Sequence, residues 1–260
     1  MHPIKYDEPR EGIAVLAINR PKARNALNWE AMHAFADAIE TAHKQKDLRA
    51  LIVTGNDTAF CAGGDLYELH DYPSRIDGAR LAAVMGDALA RLEELPCPTI
   101  AAIEGAALGG GGEVAVACDL RVMAESAFLG LMHIRLAICP AWGGGQRLLR
   151  IVGYARAFEW LTAGKVLSAD EAYQTGVANR IAPDGKALED ALGLADEILQ
   201  HDNDAVCYIK QFLRAGVTMP SEKAASIERE LFPDLWAAPA HLEASHRFVA
   251  KKATRRQKRV

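Results

Sequence analysis

Short apolar runs alternate with longer segments of helical periodicity through the first part of the chain. The runs at 13–18, 50–55 and 98–103 predict buried strands, each closed by glycine, proline or asparagine. Apolar positions at helical spacing predict helices at 28–44, where Asn28 can form the N-cap, and at 75–95. This alternation is typical of an open α/β sheet.

Helical patterns dominate the second part of the chain after a further strand at 120–124. Glycines and prolines separate the segments, and the change in pattern predicts a boundary that divides the chain into 1–200 and 201–260. Pro233 is expected to end one of these helices. The predicted helices are 144–152, 154–163, 168–174, 185–199, 205–215, 221–232 and 239–250.

A glycine-rich stretch, Gly105–Glu113, joins the strand at 98–103 to a short apolar helix at 114–118. A strand that ends in glycines and opens a helix places free backbone N–H groups at the helix N-terminus, where negative charge is stabilised. Glu113 follows Gly110 by about one helical turn, so its carboxylate lies near these amides. Such a pair suits chemistry at a carbon beside a carbonyl. Tight helix–strand packing or a phosphate site would use the same glycines.

A second small-residue loop, 59–66, follows the strand at 50–55. In open α/β sheets, ligands collect outside the carboxyl ends of the strands. Two glycine loops at such ends could therefore supply two backbone N–H donors to one oxygen atom.

Composition narrows the class of protein. The net charge of −4 gives no general attraction to nucleic acid or membranes, and the basic tail 251–259 is expected to be solvated. No apolar run reaches membrane-spanning length. The five cysteines are scattered without a CxxC pair, which indicates a reducing, cytoplasmic compartment, and Cys61 is expected only to pack. His70, His201, His241 and His246 have no metal-ligand spacing with cysteine or carboxylate, so no metal is expected.

Several segments in order over about residues 10–250 together resemble the enoyl-CoA hydratase/isomerase (crotonase) family. The resemblance implies an α/β crotonase-like spiral of ββα units with a C-terminal helical trimerisation region, forming a homotrimer or a dimer of trimers. It also implies an acyl-CoA thioester as ligand and no separate cofactor, since coenzyme A enters with the substrate. The matching segments are Asn19–Leu27, Phe60–Leu66, Gly105–Asp119, Pro140–Leu148, Leu167–Ala172 and Gly176–Asn179.

The family's functional positions transfer onto particular residues here. Gly64 and Gly110 match the two backbone donors to the thioester oxygen, and Glu113 matches the first catalytic glutamate. Asp119 is expected to be a cap or turn residue rather than a catalyst. The positions matched to the CoA moiety are Ala62, Asp65 and Leu66, with Arg24 near its nucleotide end.

The chain departs from the family pattern at His133, which stands where the second catalytic glutamate belongs. An imidazole titrates near neutral pH and could perform either proton transfer, or it could merely shape the pocket. Met132-His133 followed by Pro140–Gly144 also resembles the ethylmalonyl-CoA decarboxylase branch of the family.

These expectations favour an enoyl-CoA hydratase, in which Glu113 activates water and His133 donates a proton. Three alternatives stay open at this stage. They are decarboxylation of a short alkylmalonyl-CoA, double-bond isomerisation of an enoyl-CoA, and a CoA-ester- or RNA-binding family member without turnover.

Overall fold

Nine strands form two sheets in the computed structural model, which describes residues 2–55 and 59–257, with side chains up to residue 249. The predicted basic tail lies outside the described side chains. The strands are β1 Ile4–Arg10, β2 Ile13–Ile18, β3 Ala50–Gly55, β4 Thr99–Ile103, β5 Ala106–Leu108, β6 Leu120–Ala124, β7 Phe128–Gly130, β8 Leu167–Ser168 and β9 Arg180–Ala182.

The larger sheet has the strand order β1-β2-β3-β4-β6-β9, and all neighbours except β1 and β2 run parallel. Ile52 lies between Val15 and Ile100 in this register. Parallel strands bring their carboxyl ends to one edge, so the loops after β3 and β4 leave the sheet together.

The smaller sheet has the order β5-β7-β8. An isolated parallel bridge between Cys61 and Ala107 attaches the loop after β3 to β5, and a second, between Leu27 and Gly64, joins the loop after β2 to the loop after β3. The fold therefore places the two predicted glycine loops side by side.

Helices between residues 29 and 198 pack on the sheets, and their apolar faces contribute to the core. Asn28 caps the first helix as predicted, since its side chain accepts the Ala31 N–H at 3.0 Å. Phe35 and Met85 are fully buried on the first and third helices. The helices are α1 Trp29–Lys44, α2 Leu66–Leu69, α3 Arg75–Glu94, α4 Gly110–Ala117, α5 Gly144–Val152, α6 Tyr154–Ala163, α7 Ala169–Gln174, α8 Ala187–Leu199, α9 Asn203–Thr218, α10 Ser221–Ala237 and α11 Pro239–Gln257.

Two local predictions were wrong. α10 continues through Pro233, although the proline offers no N–H to the preceding turn. The Phe232 and Trp236 rings lie 5.6 Å apart on this continuing segment. α4 begins at Gly110 rather than at residue 114, so the glycines form the helix's first turn.

Backbone contacts divide the chain into two compact units, Met1–Ile198 and Leu199–Val260. The second unit contains α9, α10 and α11. Among the described residues, no helix combines the length and apolar character needed to cross a membrane. The same residues contain no cluster of three or more histidine, cysteine or acidic side chains suited to a metal ion.

Candidate active site

A cavity of about 370 Å³ lies where the two glycine loops meet, within the first unit. Gly64 and Gly110 border it together with Glu113 and His133. The remaining wall is mostly apolar and includes Leu69, Leu81, Leu108, Phe128, Met132 and Trp142. An apolar cavity with a few convergent polar groups is the usual form of a small-molecule site.

The N–H group of Gly64 takes no part in the bridge to Leu27, and that of Gly110 has no partner within the helix that it opens. The bridge between Gly64 and Leu27 uses the peptide groups on either side of Gly64, so the N–H of Gly64 points away from Leu27. Gly110 opens α4, and the first N–H groups of a helix have no partner within it. A Cβ on Gly63 would lie 3.0 Å from the Gly110 nitrogen, which shows how closely the loops approach.

Glu113 is 1% exposed and is held by backbone amides from a distant loop. Its Oε2 atom accepts the N–H groups of Trp142 at 2.9 Å and Gly144 at 2.8 Å. The Ala141 nitrogen lies 3.4 Å from Oε1. Amide donors to a carboxylate stabilise its negative charge and fix its orientation.

His133 completes the polar end of the cavity. Its Nε2 atom lies 3.1 Å from Oε1 of Glu113, and its side chain is 11% exposed. Its Nδ1 atom is buried and has no hydrogen-bond partner in the described part of the chain. The carboxylate and the imidazole are thus in direct contact, an arrangement able to pass a proton between them.

The indole of Trp142 forms the wall beside the Gly110 amide. A Cβ built on Gly110 would lie 2.1 Å from Cζ3 of that ring, so the ring occupies the space that glycine leaves. Sequence reasoning assigned no role to Trp142. Two signals of its role were available in the sequence. They were a glycine in the first turn of α4 and an aromatic residue in the matched segment after His133.

The residues matched to CoA divide into two groups. Arg24, Ala62 and Leu66 border the cavity. The Asp65 carboxylate pairs with Arg20 at 2.8 Å and accepts the N–H of Tyr67 at 3.3 Å as the N-cap of α2. Contact between Asp65 and CoA stays a prediction, since this carboxylate already has protein partners.

The loop that carries Arg24 is locked by a buried asparagine that sequence reasoning missed. Asn25 accepts the Arg20 N–H at 2.9 Å and donates to the Ala59 carbonyl at 2.6 Å. Arg24 and Asn25 both adopt left-handed backbone angles, with φ of 51° and 58°. Asparagine tolerates this region better than most residues, which explains its use here.

Two further predictions concern residues near the glycine loops. Asp119 accepts the N–H and hydroxyl of Thr99 at 2.8 and 2.9 Å, which ties β6 to β4. Burial raises the pKa of the Cys61 thiol to about 12, and its sulfur accepts the Gly63 N–H at 3.4 Å. Both side chains thus have structural contacts, in line with the expected turn and packing roles.

Known proteins resemble this chain both in sequence and in structure. The sequence profile of the family described as enoyl-CoA hydratase/isomerase matches residues 8–258. A crotonyl-CoA hydratase of Syntrophomonas wolfei is 35% identical over 94% of each chain. An ethylmalonyl-CoA decarboxylase of Gallus gallus is 30% identical over 98% of this chain and 84% of its own. The crystal structure of enoyl-CoA hydratase from Bacillus anthracis superposes with a TM-score of 0.90, at 31% identity and 96% coverage of each chain.

Proposed function

The chain belongs to the enoyl-CoA hydratase/isomerase family, and we propose that it adds water across the double bond of a trans-2-enoyl-CoA. The observation that carries the proposal is the buried Glu113–His133 pair at the end of a cavity bordered by Gly64 and Gly110. In that setting, two amides hold the thioester oxygen and one acid–base pair serves the adjoining carbons.

The Gly64 and Gly110 amides are proposed to donate to the thioester oxygen. Attack at Cβ moves the double-bond electrons toward that oxygen and creates an enolate. Because hydrogen bonds to an anion are stronger than those to a neutral carbonyl, the two amides stabilise the enolate more than the substrate. This difference lowers the barrier to the addition.

Glu113 and His133 are proposed to move the protons. Glu113 takes a proton from water while the water oxygen bonds to Cβ. His133 enters the step as an imidazolium, gives its Nε2 proton to Cα as the enolate collapses, and is left neutral. The product has gained one hydroxyl and one hydrogen. Their 3.1 Å contact then lets protonated Glu113 return its proton to His133, which restores both groups.

The CoA portion of the substrate is proposed to lie along the part of the cavity bordered by Arg24, Ala62 and Leu66. A guanidinium at Arg24 suits the phosphates at the nucleotide end of CoA. The assembly is proposed to be a homotrimer or a dimer of trimers.

Decarboxylation of a short alkylmalonyl-CoA is the second candidate, favoured by the decarboxylase relative and by the imidazole at position 133. Loss of CO₂ gives the same enolate, which His133 could protonate. The buried carboxylate of Glu113 disfavours this reaction, because a substrate carboxylate placed beside it would be repelled.

The test incubates the pure protein separately with crotonyl-CoA, ethylmalonyl-CoA and 3-butenoyl-CoA. Formation of 3-hydroxybutyryl-CoA supports the proposal. CO₂ release, double-bond migration without hydration, or tight CoA-ester binding without turnover would instead support the decarboxylase, the isomerase or the binding protein, respectively.

Glu113→Gln tests the proposed base. It keeps the side-chain shape and one acceptor oxygen but loses the basic carboxylate, so kcat for hydration should fall by about 10²- to 10⁴-fold. Butyryl-CoA, which cannot be hydrated, should bind with a nearly unchanged Kd. Undiminished hydration by Glu113→Gln would refute the role given to this residue.

His133→Gln in the same assay tests the proposed proton donor. If His133 donates a proton, its loss lowers kcat; if it only forms the cavity wall, its loss raises KM.

A further inference from the structure

A buried arginine connects the loop that holds Glu113 to a neighbouring helix. Arg147 lies on α5, and its side chain is 7% exposed. One guanidinium nitrogen, Nη1, donates to the Trp142 carbonyl at 2.6 Å. The other, Nη2, pairs with Oε2 of Glu93 on α3 at 2.6 Å.

The arginine and the Glu113 carboxylate bind adjacent backbone groups of the same short loop. The Glu113 carboxylate accepts the N–H groups of Trp142 and Gly144, while Arg147 donates to the Trp142 carbonyl between them. Gly143, at φ +90°, would place a Cβ 2.6 Å from Nη1 of Arg147, so the guanidinium lies directly against this peptide. The loop therefore cannot shift without breaking either the Arg147 or the Glu113 contacts.

We infer that Arg147, anchored by Glu93, is a positioning residue that fixes the Glu113 carboxylate for proton transfer. The inference rests on the proposed role of Glu113. The inference follows from how the contacts are connected. The amides that orient Glu113 and the carbonyl that Arg147 binds belong to the same short stretch of backbone. A displacement of about 1 Å at a reacting group costs on the order of 10²-fold in rate.

Arg147→Met, Glu93→Gln and the double variant test the inference, with Arg150→Met as a matched control. Arg150 lies on the same helix and faces the same carboxylate at 3.9 Å, but it is 38% exposed. Arg147→Met should lower kcat for crotonyl-CoA by about 10- to 100-fold with little change in KM. Arg150→Met should leave kcat within about threefold, as expected for an exposed pair.

The double variant distinguishes positioning from general loss of stability. If Glu93 acts through Arg147, the double variant should be no slower than Arg147→Met. The reductions in kcat are then not additive, because both substitutions remove the same interaction. Titration with butyryl-CoA counts the folded sites, and kcat is expressed per site. Wild-type kcat per site in Arg147→Met, an equal loss in Arg150→Met, or additive losses would overturn the inference.

Glu93→Gln keeps the test available if Arg147→Met does not fold, because it preserves the arginine and its bond to the Trp142 carbonyl. It should lower kcat in the same direction but less, and an unchanged kcat would overturn the inference. Failure of the proposed function looks different, since the wild-type protein would then show no hydration or Glu113→Gln would retain it.

Discussion

Trp142 contributes to the candidate site through both its backbone N–H group and its indole ring. Its backbone N–H binds the Glu113 carboxylate at 2.9 Å, while its indole covers Gly110. The side chain is therefore free to determine the shape of the cavity without being needed for the hydrogen bond.

Trp142→Ala should broaden the range of acyl groups accepted. Removing the indole opens space beside the Gly110 amide, where the carbons next to the thioester are proposed to lie. The ratio of kcat/KM for a long trans-2-enoyl-CoA to that for crotonyl-CoA should rise by about tenfold or more, since each methylene in an apolar pocket is worth about 1–3 kcal/mol. Trp142→Phe, which keeps an aromatic wall, should change the ratio less. An unchanged ratio in Trp142→Ala would exclude this role.

Single residues of the site could be predicted where the signal is local. Gly110 and Glu113 stand one helical turn apart, and that spacing is visible in the sequence. The partners of Glu113 are not visible, because Trp142 and Gly144 follow it by 29 and 31 residues. Only the folded backbone shows that their amides reach it. The chemical roles of these residues stay predictions until they are tested.

At the scale of elements, the glycines that open α4 do different things. Gly110 lies under the Trp142 ring and borders the cavity. A Cβ on Gly111 would lie 2.0 Å from the Cys61 carbonyl oxygen, so α4 packs directly on the backbone of the first glycine loop. Close packing thus requires glycine at both positions, while the donor role of Gly110 stays a prediction.

Gly111→Ala should destabilise the protein, whereas Gly193→Ala should not. The added methyl at 111 meets backbone that cannot rotate away, and overpacking of this kind costs about 1–3 kcal/mol in the free energy of unfolding. Gly193 lies within α8 with nothing within 4 Å of its added Cβ, so alanine should gain about 0.5–1 kcal/mol there. Urea unfolding of both variants measures the difference. Equal effects would show that α4 is not tightly packed.

The predicted elements were found where the pattern was long and apolar. β3 occupies 50–55 as expected, and α3 ends one residue before the predicted 95. β1 was missed because four of its seven residues are charged, and every exposed position except Pro9 has a charged side chain. β5 was missed because its three residues lie inside the glycine-rich stretch, and only pairing with β7 makes them a strand.

At the scale of the whole molecule, the C-terminal unit carries large apolar side chains that remain exposed in one chain. Large exposed apolar patches mark interfaces between proteins. These side chains are therefore candidates for the interface of the proposed homotrimer or dimer of trimers. The most exposed of these side chains include Leu213, Val217, Phe232, Trp236, Phe248 and Val249, each at least 57% exposed.

Light scattering at micromolar concentration should give a mass three or six times the 28.1 kDa of one chain. Replacing both Phe232 and Trp236 by glutamate should lower that mass, because burying two charges in an interface costs far more than exposing them to water. Ile76→Glu is the control, since Ile76 is 80% exposed on α3 in the other unit and its replacement should leave the mass unchanged. A wild-type protein that is monomeric, or a double variant with the wild-type mass, would argue against an interface on α10. Hydration by the Phe232 and Trp236 double variant is measured in parallel. Retained hydration would indicate a site that is complete within one chain, and lost hydration a site that needs the assembly.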